Sequence, residues 1–253
     1  MNSPTTIYHY TTIAGLIGIL GRRELWASDC RFLNDGAELS YARELFFAEV
    51  DKFDLPQLED GGYRVAWRTR ESSYVFVACF CEEGDLLSQW RGYGADHGYA
   101  LGFDVESLRR LGLGDLAPIQ YGLPNPAQYF AEELELARHP TAHPGVAGWH
   151  ATELLLPRLA RVKHPGFAEE REWRLMKQAS LYEPEPKVLP QFRPSPLGPL
   201  AYIVHSFTRE CLREVVVGPG SHAATRMAAV TAMLEHQGFS DINVRASIVP
   251  LRA

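Results

Sequence analysis

The sequence predicts an α+β fold with mixed and antiparallel sheets, in a single domain that spans residues 1–253. Its 17 prolines and 21 glycines indicate many turns, which argues against a helical bundle. Segments with strand and helix patterns follow one another without strict alternation, and this order favours α+β over a doubly wound parallel sheet. The apolar fraction of 46% is ordinary for a globular protein.

The first third of the chain predicts two strands and two helices. TIYHYTT alternates bulky and polar residues, as a short strand does. IAGLIGILGRREL has apolar residues at helical spacing, with Thr11 or Thr12 as the N-cap and Gly21 as the end of the helix. LWASD predicts a second strand, and LNDGAELSYARELFFAEVDKF predicts a helix that begins near Asn34 or Asp35.

The middle of the chain predicts two strands and an inserted segment. SYVFVACF is rich in β-formers, lacks Pro and Gly, and is the clearest buried strand. GDLLSQWRGYG predicts a helical turn that ends at a glycine, and GYALGFD predicts another strand. Residues 112–152 are rich in Pro, Gly and Ala around an acidic helix, PAQYFAEELELARH. We expect this segment to form a helical insert or lid.

The last third begins with EEREWRLMK, whose pattern fits a helix or a strand. REVVVGPG predicts a strand followed by a turn, and HAATRMAAVTAMLEHQGF predicts an amphipathic helix that ends at Gly238. NVRASIVPLR predicts a closing strand. The whole chain is expected to hold about six or seven strands and four or five helices.

The net charge and the hydropathy of the chain argue against several classes of protein. The net charge of -6 does not favour an extended nucleic-acid groove, which needs clustered Lys and Arg. No run of about 18 apolar residues is present, so no membrane span is expected. The start, MNSPTTIYHY, lacks the pattern of a secretory signal, and the predicted location is the cytoplasm.

The cysteines do not predict a metal site. Cys79 and Cys81 are separated by one residue and have no Cys or His partner at zinc-ligand spacing. No cluster of His, Asp and Glu shows metal-ligand spacing either, so we expect no bound metal. Buried free thiols are the preferred interpretation of all four cysteines, Cys30, Cys79, Cys81 and Cys211.

The stretch HPGFAEEREWRLM is the main candidate for chemistry. A run of mixed charge is most often a solvated surface. In a strand, Glu170, Glu172 and Arg174 would lie on one face, whereas in a helix Glu170 and Arg174 would form an i,i+4 ion pair. A carboxylate beside Trp173 and an apolar run is a candidate for a partly buried acid with a raised pKa. Glu172 is the first choice and Glu170 the second, whereas Glu169 is expected to be solvated.

Three other places carry candidate binding residues. His9 is an imidazole on the predicted first strand, although a lone histidine is most often structural. Asn34, Asp35 and Glu38 surround one turn, where they either cap the following helix or grip ribose hydroxyls. The segment SQWRGYG either packs an aromatic residue in the interior or forms a pocket wall with a cation for phosphate; its candidates are Trp90, Arg91 and Tyr93.

Taken together, the motifs resemble those of a large uncharacterised bacterial family, domain of unknown function 2971. The resemblance rests on YHYTT, LWAS and LND in the first third, CFCEEGDLLSQWRGYG and GYALGFD in the middle, and KHPGFAEEREWR and EVVVGPG in the last third. It extends from about Tyr8 to Pro250. The family itself implies no activity.

The first third is also similar, more distantly, to the start of ADP-ribosyltransferases. YHYTTIAGLIGILGRRELWAS fits that superfamily's first strand with a His or Arg, the helix after it and the second strand. The pair Glu170 and Glu172 resembles its Glu-x-Glu motif. The tyrosine of the second strand is not assigned, because Tyr41, Tyr93 and Tyr99 all compete, and the Ser-Thr-Ser signature of one subgroup is absent.

This resemblance implies an enzyme that uses NAD as a substrate. Cleaving the bond between nicotinamide and ribose passes through an oxocarbenium-like state, which a carboxylate stabilises. Glu172 would take that role, with Glu170 beside it. His9 would hydrogen-bond a ribose, and Tyr10 or another tyrosine would stack on a ring. Asn34, Asp35 and Arg91 would orient the dinucleotide and its phosphates, and the remaining binding residues would be Thr11, Glu38, Trp90 and Tyr93.

Two hypotheses follow, and a third is weaker. The first is an ADP-ribosyltransferase or NAD glycohydrolase that acts on an unknown macromolecular or small-molecule acceptor, as a toxin or phage-defence effector. The second is a non-catalytic nucleotide-binding or regulatory module in which Glu172 is tied up by Arg91 or Arg174. The third, transfer of a tRNA-like 2′-phosphate to NAD, expects a basic surface that a net charge of -6 does not favour.

Overall fold

The computed structural model describes residues 4–32, 37–52, 73–93, 97–138, 155–180, 188–196 and 198–250. Ten of the described strands form one mixed sheet, and two short ones form a ribbon. The strands are β1 (Thr6–Thr11), β2 (Glu24–Asp29), β3 (Ser73–Cys81), β4 (Tyr99–Asp104), β5 (Asp115–Pro118), β6 (Gln120–Tyr121), β7 (Val162–Lys163), β8 (Glu172–Ser180), β9 (Gln191–Ser195), β10 (Gly198–Ser206), β11 (Leu212–Val217) and β12 (Asn243–Ala246).

Helices cover both faces of this sheet. Shorter helical turns occur at Cys30–Phe32, Pro165–Glu170 and Arg209–Cys211, and residues 155–159 are also helical. The main described helices are α1 (Ile13–Arg22), α2 (Ala37–Val50), α3 (Leu87–Tyr93), α4 (Val105–Arg110), α5 (Pro126–Tyr129), α6 (Ala131–Arg138) and α7 (Ala223–His236). None of the helices within the described ranges is long and apolar enough to cross a membrane.

Strand β3 is the centre of the sheet. One of its edges pairs with β8 along the whole strand, from Ser73 opposite Ser180 to Cys81 opposite Glu172. The other edge is shared by β1 and β2, each of which continues outward into its own wing of strands. All pairings in the ten-stranded sheet are antiparallel except that of β11 with β12. The predicted α+β class with a mixed, mostly antiparallel sheet is confirmed.

The start of the chain folds as its pattern predicts, with one exception. Thr12 caps α1, and its hydroxyl accepts a hydrogen bond from the Gly15 amide at 3.3 Å. The predicted end at Gly21 is wrong, because the helix continues to Arg22 and ends at Arg23 in the left-handed conformation. Gly238 does follow the last helix at a φ of +80°, a backbone angle that favours glycine.

The segment predicted as a helical insert, residues 112–152, begins as part of the sheet. Its first strand, β5, pairs with β8 across from Trp173, and β6 pairs with β7. Helices α5 and α6 follow, and residues 139–152 lie outside the described ranges. The chain also has more strands than predicted, because several are only two to four residues long and too short for a periodic pattern.

Candidate functional site

The sheet is split where β1 and β2 share the edge of β3. Strand β1 pairs with β3 only at Tyr8 opposite Cys81, and β2 pairs only at Ser28 opposite Val77 and Asp29 opposite Phe76. In an antiparallel ladder, alternate residues point their backbone groups at the same neighbour. Cys79 is therefore the residue whose backbone N–H and C=O point into the gap, which we call the split.

His9 lies at this split. Its Nδ1 is 2.9 Å from the carbonyl oxygen of Cys79, and its ring makes an edge contact with Phe80. A carbonyl can only accept, so Nδ1 carries the proton and Nε2 is left as an acceptor in the neutral ring. Burial lowers the pKa of His9, and this outweighs the hydrogen bond to Cys79, so the imidazole is neutral at pH 7.

The stretch that carries the paired glutamates is a strand from Glu172 onward. Glu172 and Arg174 lie on one face of β8, and both are buried. The Nε of Arg174 donates to one oxygen of Glu172 at 2.6 Å, and its Nη2 donates to the other at 3.0 Å. This fork-to-carboxylate geometry fixes the Glu172 side chain in one orientation.

Lys163 joins this pair to two further carboxylates. Its Nζ lies 2.7 Å from Glu38 of α2, 2.6 Å from Glu170 and 3.2 Å from Glu172. Arg174 also reaches Glu38, at 2.5 Å. Three carboxylates and two cations thus form one cluster with an excess of one negative charge, which we call the charge cluster.

Within the charge cluster, the pKa values of Glu170 and Glu172 shift in opposite directions. Burial raises the pKa of Glu172, but Arg174 and Lys163 more than offset this, so its pKa is lowered. Burial raises the pKa of Glu170 above its ordinary value, despite the hydrogen bond from Lys163. The expectation of a raised pKa is therefore right for Glu170 and wrong for Glu172, which is ionised at neutral pH.

Two neighbours complete the surroundings of Glu172. The Tyr121 hydroxyl of β6 accepts a hydrogen bond from the Glu172 amide at 2.7 Å. The thiol of Cys79 lies close to the Glu172 carboxylate, and burial, with the charge of Glu172, raises the pKa of that thiol well above its ordinary value. Cys79 is therefore approached by His9 at its carbonyl and by Glu172 at its side chain. Chemically, this is a fixed anion beside an opening in the sheet, able to stabilise positive charge on a bound molecule.

Tyr10 and Trp90, two of the predicted binding residues, are packed in the interior instead. The Tyr10 hydroxyl donates to the Glu83 carbonyl at 2.7 Å and accepts from the Leu86 amide at 2.9 Å. The Tyr10 ring makes an edge contact with Trp90, which is fully buried. The expectation that SQWRGYG packs an aromatic residue in the interior therefore holds for Trp90.

The remaining predicted residues are dispersed. Thr11 ends β1 opposite Tyr99, and Arg91 of α3 is exposed, without a charged partner among the described residues. Tyr93 is partly exposed at the end of α3; burial, with Cys79 and Glu172 close by, raises its pKa to about 12. Of the other competing tyrosines, Tyr41 packs against His164 and Tyr99 lies in the core. Asn34 and Asp35 lie outside the described residues.

Lys163 was not identified from the sequence, although it contacts every carboxylate of the charge cluster. It is nine positions before Glu172 and approaches it only because residues 164–171 make a compact turn. A lone lysine before His164 and Pro165 carries no pattern of its own. Cys79 was expected to be a buried free thiol, and its position between His9 and Glu172 depends on strand pairing.

A surface pocket of about 460 Å³ lies apart from the split, between α5, α6 and Arg158. Its polar lining includes Gln120, Asn125 and Gln128, and it contains neither His9 nor a member of the charge cluster. Across the described ranges, no group of His, Cys, Asp and Glu is arranged to hold a metal ion.

Comparisons with known proteins give one family match and two structures of one similar protein. A family model described as protein of unknown function (DUF2971) matches residues 89–175. The structure of DarT from Thermus sp. 2.9 with ADP-ribosylated ssDNA has 14% identity and a TM-score of 0.36, covering 97% of this chain and 94% of that one. The same protein with NAD+ has 15% identity and a TM-score of 0.35, covering 97% and 96%.

No curated protein matches the chain. The matched residues begin in α3 and end just after Arg174, so they include Lys163, Glu170 and Glu172. The motifs predicted this family from about Tyr8 to Pro250, and the family model of unknown function DUF2971 matches residues 89–175 of that range.

Proposed function

We propose that this protein is an ADP-ribosyltransferase-like enzyme that takes NAD as substrate, cleaves the nicotinamide–ribose bond and transfers ADP-ribose to an acceptor. In this proposal Glu172 stabilises the positive charge that develops on the ribose. His9 hydrogen-bonds a ribose hydroxyl through its free Nε2, and Tyr93 and Glu38 border the bound molecule. A role as a toxin or phage-defence effector belongs to the same proposal.

One observation carries the proposal: a neutral imidazole and an ionised carboxylate approach the same residue, Cys79, from the two faces of the sheet at its gap. Glu172 receives three N–H donors, two from Arg174 and one from Lys163. A carboxylate has about four acceptor positions, so one is left. In this proposal a ribose hydroxyl donates to that position.

The test is to incubate pure protein with NAD and measure free nicotinamide, with and without cell lysate as a source of acceptor. Glu172→Gln keeps the shape of the side chain and removes its charge. We expect it to lower turnover by about 100-fold or more, the effect of losing a charge-stabilising group. Glu169→Gln, in the same turn but exposed, is the matched control and should keep full turnover. Unchanged turnover in Glu172→Gln would assign the catalytic role to another residue.

A second candidate function, a non-catalytic nucleotide-binding or regulatory module, is favoured by the two-pronged pairing of Glu172 with Arg174. A carboxylate held this tightly can be purely structural. In that case NAD should raise the unfolding temperature while no nicotinamide is released under any acceptor condition. Absence of NAD binding in both assays would exclude both candidate functions.

A further inference from the structure

An exposed aromatic residue lies on the wing of the sheet that starts at β2. Trp26 is 38% exposed although it is in the middle of its strand. Its indole stacks on Tyr202 of β10, with ring centroids 4.5 Å apart and an interplanar angle of 30°. The Tyr202 hydroxyl is held by Gln191 at 2.9 Å. Trp26 is therefore a rigid platform, supported from one side and open to solvent.

Arg193 of β9 adds a cation to this platform. Its guanidinium carbon lies 5.9 Å from the centroid of the Trp26 ring, and its Nη2 donates to the Ser28 hydroxyl at 2.9 Å. Its Nε is buried and has no hydrogen-bond partner in the described part of the chain. A buried donor without an acceptor is costly, and an anionic oxygen is the acceptor that suits a guanidinium best.

The platform lies on the same sheet face as the charge cluster. Ser28 is opposite both Tyr202 and Val77, so Trp26, Ser28 and Tyr202 share the face of Val77 and Cys79. If β2 continued along β3, Trp26 would lie opposite Cys79. Instead β2 diverges there, so that Trp26 borders the split from the side opposite His9. Strand β9 is three strands from β3, or about 14 Å at the usual strand spacing.

We propose that Trp26 and Arg193 form a binding site for a nucleoside phosphate, in which the base stacks on Trp26 and the phosphate pairs with Arg193. Every nucleobase has a flat face that stacks on an exposed aromatic ring. The platform carries one cation among its described residues, and the net charge of the chain is -6. A single nucleotide unit therefore fits better than a strand of nucleic acid, which needs a series of cations. The site does not depend on turnover and is compatible with both candidate functions.

The test is calorimetric titration of the full chain with adenosine 5′-monophosphate, adenosine and a short single-stranded oligonucleotide. Trp26→Leu should weaken binding of the monophosphate about tenfold or more, whereas Trp26→Phe should keep most of it. Arg193→Gln should weaken the monophosphate strongly and leave adenosine unchanged, because adenosine has no phosphate. Phe192→Leu is the matched control, since Phe192 is 64% exposed on the same strand but faces the other way.

The outcomes separate this site from the proposed function. Equal affinity in Trp26→Leu and the unmodified chain, or binding of the oligonucleotide without the monophosphate, would overturn the proposal. So would absence of monophosphate binding, even if nicotinamide is released from NAD. Thermal unfolding of each variant verifies the fold, and Trp26→Phe and Arg193→Gln keep the test decisive if Trp26→Leu does not fold.

Discussion

Lys163 is the residue on which the charge cluster depends most. It forms ion pairs with Glu38, Glu170 and Glu172 at once, and it is almost fully buried. Lys163→Met leaves three carboxylates with only Arg174 as a cation. We expect the free energy of unfolding at pH 7 to fall by about 3–5 kcal/mol, the cost of breaking a buried ion pair. Urea unfolding measures this, and Lys163→Arg should restore most of the loss.

The same variant has a predicted pH dependence. The pKa of Glu172 is lower in the folded chain than its ordinary value of 4.5, so its charged form stabilises the fold at pH values above 4.5. This stabilisation is lost as the pH falls through the pKa of the folded state. In Lys163→Met the pKa of Glu172 should rise, because one of its two cations is gone. Glu172 then takes up a proton at a higher pH than in the unmodified chain, and this removes the uncompensated negative charge. The stability gap between the variant and the unmodified chain should therefore shrink as pH falls from 7 to 4. A gap that stays constant over this range would contradict the assignment.

His205 is a buried histidine that the fold keeps neutral. Its Nε2 has no partner within the described residues, and burial, aided by Lys177, lowers its pKa to about 4. In the unfolded chain a histidine binds a proton below 6.5, so stability falls as pH drops from 6.5 toward 4. At pH 5 this costs about 2 kcal/mol.

His205→Leu should remove that contribution. Its loss of stability between pH 7.5 and pH 5 is expected to be smaller by about 2 kcal/mol than that of the unmodified chain. Urea unfolding at the two pH values gives the difference directly. His236→Gln, at an exposed position of α7, is the control and should leave the loss unchanged. Equal losses in His205→Leu and the unmodified chain would show that His205 is not kept neutral.

At the scale of elements, Asp85 connects helix α3 with residues 247–249, which we call the C-terminal segment. Its carboxylate accepts hydrogen bonds from the indole N–H of Trp90, the Ser247 hydroxyl and the Ile248 amide. Val249 packs beside Trp90 in the same apolar cluster. These bonds therefore hold residues 247–249 against helix α3.

Asp85→Ala should release this connection. Loss of three hydrogen bonds, with the buried Trp90 N–H left unpaired, is expected to cost about 2–4 kcal/mol of unfolding free energy. Glu106→Ala removes an exposed carboxylate from its pair with Arg109 and should cost less than about 1 kcal/mol. Limited proteolysis tests the location of the change, since cleavage in Asp85→Ala should first appear near α3 or the C-terminal segment.

Local pattern predicted the elements far better than the contacts between them. Strand β1 and helix α1 follow from alternation and apolar spacing within about 15 residues. The connection of Asp85 with Ser247 joins positions 162 residues apart, and no local pattern encodes it. Similarly, Glu172 was singled out by its neighbour Trp173, but its pairing with Lys163 required the turn of residues 164–171. Glu172 is therefore buried, in keeping with the prediction of a buried acid, but the expected rise in its pKa was wrong, and its catalytic role stays a prediction.

At the scale of the whole molecule, the split along β3 interrupts the sheet, and the proposed function needs this gap for NAD to reach Glu172. Two wings of the sheet, led by β1 and β2, meet at one strand and leave Cys79 with no ladder partner on that edge among the described strands. A fold that paired Cys79 fully would have no opening between His9 and Trp26. The sequence could not predict the gap, because it depends on two long-range strand pairings. Strand β1 pairs with β3 at Cys81, β2 pairs with it at Val77, and Cys79 lies between them.

Residue-resolved hydrogen exchange tests the split directly. Ala78 and Phe80 point their backbone groups at β8, so their amides should exchange only on global unfolding. The Cys79 amide points into the split and should exchange at least about 100-fold faster, through local opening. Saturating NAD should slow exchange at Cys79 and leave Ala78 and Phe80 unchanged if the molecule binds in the split. Equal protection of Cys79, Ala78 and Phe80 in the free protein would mean that the gap is closed in solution, and the proposed NAD site would lose its entrance.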